Sequence, residues 1–404
     1  MSKRIFYIKI SYINEKFIHL LRLGILTMIQ RDIYESVKQR LFKGKAIILT
    51  GPRQVGKTTF LRQIIAGNDD NLVLSLNCDE PDIRLLLENI TSSELRTLVG
   101  KHRLILIDEA QKVDNIGLTL KLMVDNIEDI QVIATGSSAF DLRNKLNEPL
   151  TGRKYEYHLY PFSTNELVKH TTKVEESRLL EHRMIYGMYP DVVNHPSDSL
   201  PILKELTNSY LFKDIFSYRD IRNPDGLNNL LRALALQVGS EVSYNELGRS
   251  LGIDKETVER YLDLLEKVFV IFRLSSFSRN IRNELKKSKK IYFYDNGVRN
   301  AIINNFNPLA LRNDNGALWE NFIISERRKY IDYNGIYVNT YFWRTHSQQE
   351  IDYIEEEGGV LHAYEFKWKE NKKSKLPISF ATTYQEHSFD VITPSDYMSF
   401  CGVV

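Results

Sequence analysis

The segment GPRQVGKT, residues 51–58, combines two glycines, a lysine and a threonine at fixed spacing between an apolar run and a helical pattern. Glycines let backbone N–H groups approach phosphate oxygens, and the N-terminus of the following helix adds partial positive charge. We expect Lys57 to reach the β- and γ-phosphates of a nucleotide and the Thr58 hydroxyl to bind Mg²⁺. The predicted nucleotide contacts are Gly51, Pro52, Arg53, Gln54, Val55, Gly56, Lys57, Thr58 and Thr59. The segment therefore predicts ATP or GTP binding.

A second apolar run, LILIDEA at residues 104–110, ends in two acids. Asp108 is placed to support Mg²⁺ through water, and Glu109 is placed to orient and polarise an attacking water. A strand that simply ends in surface acids is the alternative. A phosphate-binding loop in the same predicted sheet favours the catalytic interpretation.

Small polar residues end the next apolar run, IATGSSAF at residues 133–140. In P-loop ATPases with an inserted strand, this position senses the γ-phosphate. Ser137 is the first candidate, and Thr135 and Ser138 are alternatives. A plain polar turn would have the same composition.

Four short apolar runs are typical of buried parallel strands. They are AIILT (46–50), NLVLSLN (71–77), RLILID (103–108) and IQVIAT (130–135). Helical patterns lie between them, which predicts a parallel sheet with helices on both faces; with the phosphate-binding loop this makes residues 28–165 a predicted P-loop NTPase domain. Ser163 and Glu166 have capping-box spacing and predict the start of a helical lid region at 166–223.

Residues 224–296 predict a winged helix-turn-helix domain, because three helical patterns precede a pair of strands. Asp254 is the expected N-cap of the third helix. Its apolar stripe is Val258, Tyr261, Leu262, Leu265 and Phe269.

A basic stretch follows the third helix, where a wing would lie. The predicted DNA contacts are Arg279, Arg282, Lys286, Lys287, Lys289 and Lys290. Such a wing can follow phosphates without reading base sequence, and the mixed charge of the third helix argues against sequence-specific recognition. A helical packing module with a solvated basic loop is the alternative.

The segment YEFKWKE, residues 364–370, alternates aromatic and charged side chains. Glu320 on a predicted helix, then Asp352, then Glu365 and Lys367 follow the order and spacing of metal-dependent nucleases of the restriction-endonuclease type. Residues 297–404 are therefore predicted to form an α/β domain of that fold. Opposite charges on the exposed face of an ordinary hairpin are the alternative.

Together with LTGRKYEYHLYPFSTNEL (150–167) and GMYPDVV (187–193), these motifs resemble a family of prokaryotic ATP-binding proteins. Its members have an AAA-type ATPase domain and a C-terminal domain of unknown function related to restriction endonucleases. The resemblance runs from about residue 28 to the C-terminus. It implies an AAA-like or STAND-like ATPase, adenine nucleotide, the same nuclease-like fold, and homo-oligomers, possibly rings. It also implies Arg153 as an arginine finger, with Arg143 as the competitor.

Global composition is that of a multidomain soluble protein. The chain has 404 residues, 54 basic and 52 acidic side chains, and two cysteines. That balance does not by itself predict a polyanionic partner, and the few cysteines are compatible with a reducing cytoplasm. No apolar run has membrane-spanning length. Met28 looks like a natural start, so residues 1–27 are expected to be an extension or an additional packed helix.

The sequence thus favours a cytoplasmic Mg²⁺-dependent ATPase that uses ATP and acts on branched or duplex DNA in repair, recombination or genome maintenance. Two alternatives stay open. One is a nucleotide-dependent switch that binds a protein partner in signalling or defence. The other is an ATP-regulated, metal-dependent DNA endonuclease.

Overall fold

The structure is a computed structural model of the chain. It describes residues 28–66, 72–137, 150–211, 221, 223–278, 289–345, 347–369 and 374–403. The chain divides into two compact units, one ending at Leu159 and the other beginning at Tyr160.

The first unit is built on a five-stranded sheet in the order β2-β3-β4-β1-β5, and all neighbouring strands run parallel. The strands are β1 (Ala46–Thr50), β2 (Val73–Asn77), β3 (Leu104–Asp108), β4 (Gln131–Gly136) and β5 (Lys154–His158). Every residue of β1 and β4 is buried. The four predicted apolar runs are therefore confirmed as strands of a parallel sheet.

Helices cover this sheet. They are α1 (Tyr34–Arg40), α2 (Lys57–Ala66), α3 (Pro81–Leu87), α4 (Ser92–Val99) and α5 (Ile116–Asn126), with a short 3₁₀ turn at Ala110–Lys112. Apolar side chains of α3, α4 and α5 share one core with those of β1 to β4. The mixed α/β class with a parallel sheet and flanking helices is confirmed.

The second unit has a seven-stranded mixed sheet in the order β12-β11-β10-β9-β7-β8-β6. Its strands are β6 (Glu241–Val242), β7 (Ile271–Ser276), β8 (Lys289–Phe293), β9 (Asn339–Arg344), β10 (Glu350–Glu357), β11 (Val360–Phe366) and β12 (His387–Ile392). The pairs β7–β9 and β11–β12 are parallel, and the remaining neighbours are antiparallel.

Most of the helices described in the second unit precede β9, and five of them precede β6. The described helices are α6 (Thr164–His170), α7 (Lys173–Tyr186), α8 (Pro190–Asn194), α9 (Ser199–Glu205), α10 (Pro224–Leu236), α11 (Tyr244–Leu251), α12 (Lys255–Lys267), α13 (Asn296–Ile302), α14 (Asn315–Tyr333), α15 (Ile378–Thr383) and α16 (Tyr397–Phe400). A π-helical turn, Leu206–Leu211, follows α9, and 3₁₀ turns lie at Pro196–Asp198 and Leu309–Leu311.

The predicted helix caps of this unit are present in the structure. Ser163 and Glu166 form the expected capping box at the start of α6. The Asp254 side chain accepts a hydrogen bond from the Thr257 N–H and caps α12. Four members of the predicted apolar stripe are buried on one face of α12, namely Val258, Tyr261, Leu262 and Leu265. The fifth, Phe269, is buried but lies two residues beyond the end of the helix.

The predicted boundary between residues 296 and 297 falls inside the second unit. Helix α13 begins at Asn296 and crosses it, and β7 pairs with β9 through Ser275 and Tyr341. The element order predicted for a winged helix is present in helices α10 to α12 and the antiparallel pair β7–β8. The strands of that pair, however, belong to the same sheet as the C-terminal strands. The winged-helix assignment, the endonuclease-like assignment and the domain boundaries stay predictions.

The predicted N-terminal extension, residues 1–27, lies outside the described residues. Among the helices that are described, none combines the length and the apolar character needed to cross a membrane.

Candidate active site

The phosphate-binding loop connects β1 to α2, and two glycines are dictated by its path. A Cβ atom on Gly51 would lie 2.1 Å from the Leu159 carbonyl oxygen, so no side chain fits there. Gly56 has φ +90° and Gln54 has φ +62°, both in the left-handed region. Glycine adopts this conformation without steric cost, which explains the residue type at position 56.

Arg31 contacts the phosphate-binding loop, and no sequence motif predicts this contact. Its side chain is 4% exposed, and its Nη1 donates a hydrogen bond to the Val55 carbonyl oxygen at 3.2 Å. Nearby, Gln63 Nε2 on α2 donates to the Ile29 carbonyl at 3.1 Å. Arginines beside a short amphipathic helix are mostly exposed, so the sequence alone gives no signal for this one.

Lys57 and Thr58 occupy the first turn of α2. The buried Lys57 ammonium donates to the carbonyl oxygens of Gly51 at 3.0 Å and Pro52 at 2.8 Å. The Thr58 hydroxyl donates to Asp108 Oδ2 at 2.6 Å. The structure therefore brings the loop and the acidic end of β3 together.

Neutral donors hold Asp108, the last residue of β3. The Thr135 hydroxyl donates to Asp108 Oδ1, and the Glu109 N–H donates to the same oxygen at 3.1 Å. Glu109 has φ +53°, a left-handed conformation that costs a non-glycine residue roughly 1 kcal/mol. That cost is consistent with a constrained functional position.

Gln111 links Glu109 to Ser137 and was not predicted. Its Nε2 donates to Glu109 Oε2 at 2.6 Å and to Ser137 Oγ at 3.1 Å. Ser137 is 4% exposed at the end of β4, so the first sensor candidate lies beside the proposed catalytic acid.

Thr135, one alternative sensor, contacts Asp108 instead. Ser138, the other alternative sensor, lies outside the described residues, as does Arg143, the competitor of Arg153 for the arginine-finger role.

Oxygen atoms of Thr58 and Asp108 make this end of the sheet suitable for Mg²⁺. A hydroxyl and a carboxylate are hard ligands of the type Mg²⁺ takes beside phosphate oxygens. Their 2.6 Å contact shows that both can face one point.

Arg153 is not brought to this site. It precedes β5, its Nε donates to Asp125 Oδ1 at 2.7 Å, and its carbonyl accepts from the N–H of Ala46, the first residue of β1. The phosphate-binding loop follows the last residue of β1. Five strand residues span about 16 Å, so Arg153 and the phosphate-binding loop lie at opposite ends of strand β1.

The second unit brings the predicted nuclease residues together. Glu320 lies on α14, Asp352 on β10, Glu365 on β11 and Lys367 just after β11. The Phe366 N–H donates to Asp352 Oδ2 at 2.9 Å, and Lys367 Nζ contacts Glu365 Oε1 at 2.5 Å.

Electrostatics in this carboxylate centre differ from those of a metal site. Burial, followed by Glu320 and Glu365, raises the pKa of Asp352 well above its usual range. Burial would lower the pKa of Lys367, but its contacts with Glu365 raise it. Within the described ranges no three histidine, cysteine or acidic side chains are arranged to hold a metal ion. The donor set as folded does not fit the Mg²⁺ expected for a nuclease.

The predicted DNA contacts differ in burial, and only two of them lie among the described residues. Lys290 is 2% exposed and paired with acids, so its assignment to an exposed basic surface is wrong. Lys289 is half-buried and donates to Ser275 Oγ at 2.8 Å. The other four predicted contacts, Arg279, Arg282, Lys286 and Lys287, lie outside the described residues.

The parallel sheet, the phosphate-binding loop and the Thr58–Asp108 contact define a P-loop ATPase-type domain, and family comparison agrees. Residues 43–168 match the model of a family described as AAA domain, which supports an AAA-type ATPase domain in this part of the chain. Residues 177–309 and 315–397 match two domains of unknown function, DUF8612 and DUF4143.

Relatives extend over most of the chain. An uncharacterized protein of Mycobacterium tuberculosis is 27% identical over 352 residues, covering 86% of this chain and 75% of the relative. An uncharacterized protein of Methanocaldococcus jannaschii is 28% identical over 319 residues, covering 68% of this chain and 67% of the relative.

Similarity to solved structures is weaker. The Aeropyrum pernix ORC1 protein in complex with DNA aligns with a TM-score of 0.35 and 11% identity, over 70% of this chain and 94% of that chain. AMPPCP-bound DnaA from Aquifex aeolicus aligns with a TM-score of 0.30 and 13% identity, over 58% of this chain and 86% of that chain. At these TM-scores the fold assignment rests on the sheet order and the phosphate-binding loop.

Proposed function

We propose that the protein is a Mg²⁺-dependent ATPase whose turnover is coupled to DNA. The observation that carries the ATPase part is the contact of Thr58 with Asp108 at the phosphate-binding loop. Bound Mg²⁺ would neutralise charge on the β- and γ-phosphates. Thr58 would hold it directly, and Asp108 would support it through water.

The remaining residues of the site have distinct proposed roles. Phosphate oxygens would compete for the Lys57 ammonium, which now donates to the loop's own carbonyl oxygens. Glu109 would orient the attacking water, and Gln111 would hold the Glu109 carboxylate. Ser137, joined to the same amide, would respond to the γ-phosphate.

Arg153 would act only between copies of the chain, because it lies at the end of strand β1 that is opposite the phosphate-binding loop. Its contact with Asp125 leaves the side chain 43% exposed. An arginine from a neighbouring subunit can stabilise charge on the transferring phosphoryl group. The proposal therefore includes a homo-oligomer, possibly a ring.

DNA is the proposed partner because of the basic residues between β7 and β8. Residues Arg279, Arg282, Lys286 and Lys287 would follow the phosphates of branched or duplex DNA without reading sequence. A winged helix at 224–296 would present them. Repair, recombination or genome maintenance is the proposed setting.

The test measures ATP turnover with and without linear duplex and four-way-junction DNA. We expect DNA to stimulate the wild type, and the Lys286→Gln/Lys287→Gln variant to lose that stimulation while keeping its basal rate. The matched control neutralises two exposed lysines of the first unit, Lys43 and Lys101. In the same assay Arg153→Ala should lose turnover. Mixing it with Lys57→Ala should restore part of the activity, because some interfaces then pair an intact loop with an intact arginine.

Turnover that ignores every DNA form would reject the DNA part and favour a nucleotide-dependent switch with a protein partner. Arg153→Ala with wild-type turnover would reject the finger role.

A further inference from the structure

Lys290 is buried on strand β8, and both faces of this strand are covered. Successive strand residues face opposite sides of a sheet, so Lys290 and Tyr292 share one face. They are 2% and 0% exposed, and Lys289 on the other face is half-buried and contacts Ser275. A lysine is almost never this buried unless it is paired.

Carboxylates from two other elements meet the Lys290 ammonium. Its Nζ lies 2.6 Å from Glu350 Oε1 on β10 and 3.0 Å from Glu320 Oε1 on α14. Tyr292 Oη donates to the same Glu320 oxygen at 2.6 Å. Burial alone would lower the pKa of Lys290, but Glu320, Glu350 and Asp352 raise it above its ordinary value. These contacts favour the charged form of Lys290 at neutral pH.

Other donors take further oxygens of the centre. Lys367 contacts Glu365 Oε1, and the Phe366 N–H donates to Asp352 Oδ2. Arg344 Nε lies 3.9 Å from Glu350 Oε2. Four carboxylates are thus held by ammonium, guanidinium, phenol and amide groups.

A divalent cation would have to displace this arrangement. Mg²⁺ requires oxygens at 2.0–2.1 Å in near-octahedral geometry. The Glu320 and Glu350 oxygens that could turn toward it already bind an ammonium that is 2% exposed. A second cation beside that ammonium would be repelled in a site with little water to screen the charges.

We propose that Lys290 is the built-in cation of the centre formed by Glu320, Glu350, Asp352 and Glu365, and that it takes the place a divalent metal would need. The ammonium then ties β8 to α14 and β10 across the predicted domain boundary. Metal-dependent cleavage is not expected from this centre in the wild-type protein, and removing the ammonium would open the centre to a divalent cation.

The experiment titrates the nucleotide-free, full-length protein with Mn²⁺ in a calorimeter. Without nucleotide, the phosphate-binding loop lacks the phosphate oxygens that complete its own metal site. The wild type and the matched control Lys289→Ala should show no Mn²⁺ binding that depends on Asp352. Lys290→Ala should bind one Mn²⁺ with an affinity at least tenfold higher than that of the wild type. Lys290→Ala/Glu320→Gln should lose this increase in affinity.

Two results would overturn the proposal. One is Mn²⁺ binding by the wild type that Asp352→Asn removes, a measurement that does not need Lys290→Ala to fold. The other is a folded Lys290→Ala that gains no affinity. If Lys290→Ala does not fold, Lys290→Arg keeps the charge in place. It should fold and still bind no Mn²⁺, and Asp352-dependent binding by that variant would count against the proposal.

Discussion

The two units each contain a carboxylate centre, and the centres differ in the donors that surround the acids. In the first unit, Asp108 and Glu109 accept hydrogen bonds from the hydroxyls of Thr58 and Thr135 and the amide of Gln111. In the second unit, ammonium groups perform that role. Neutral donors orient a carboxylate and leave its charge available to a metal, whereas ammonium groups cancel it. The same residue types therefore support different chemistry.

The largest expected effect is that of Glu109→Gln on ATP turnover. Glutamine keeps the shape and can still bond to Gln111, but it cannot accept a proton from water. Loss of a general base typically lowers the rate about 10²–10⁴-fold. Steady-state turnover should fall by that order while ATP binding, measured by calorimetry, is retained.

Glu80→Gln is the matched control for this variant, because Glu80 is an exposed glutamate of the same unit. It should turn over ATP at the wild-type rate. Wild-type turnover in Glu109→Gln would show that the first centre does not activate water through this carboxylate. The two centres would then no longer differ in catalysis through an acid.

An intermediate effect is expected when one partner is removed from each centre. Glu320→Gln leaves the buried Lys290 with one charged partner fewer, and losing a hydrogen bond to a charged group costs about 1.5–3 kcal/mol. Thr135→Val removes one neutral donor from Asp108, which costs about 1 kcal/mol. Thermal unfolding should therefore show a clearly larger fall in Tm for Glu320→Gln. Equal shifts would mean that charge pairing contributes no more than neutral hydrogen bonding.

Local sequence signals predicted where the residues of the first centre lie in the fold, and their roles stay predictions. The strands of the parallel sheet are short apolar runs bounded by turns, and the glycine pattern of the phosphate-binding loop follows from the backbone path between β1 and α2. Asp108 follows directly, since it ends β3 beside β4 in the same sheet.

Side chains whose role depends on distant partners were not predictable. Lys290 belongs to a basic run, and only the point where β8 begins decides that it lies on the face that meets Glu320 and Glu350 while Lys289 lies on the other. Arg31 and Gln111 act through single contacts that leave no pattern in the sequence. The domain boundary was drawn at a change of element type, but β7 and β9 pair across it.

The smallest expected effect is a pH dependence that separates Asp352 from an ordinary aspartate. Its pKa in the folded protein is raised by burial and by Glu320 and Glu365, whereas an unfolded aspartate has a pKa of about 3.9. The folded state therefore holds the proton to higher pH than the unfolded state. The stability that Asp352 contributes is present below about pH 4 and is lost as pH rises through its folded pKa. Asp352→Asn lacks this loss, so its Tm relative to the wild type should rise between pH 4 and pH 7.

Asp390→Asn, at an exposed position on β12, is the control and should follow the wild type over the same pH range. If the Asp352→Asn curve also runs parallel to the wild type, Asp352 ionises like an ordinary aspartate. The second centre would then hold one more negative charge at neutral pH than a protonated Asp352 allows. That charge would be available to a cation, which would bring the second centre closer to the first.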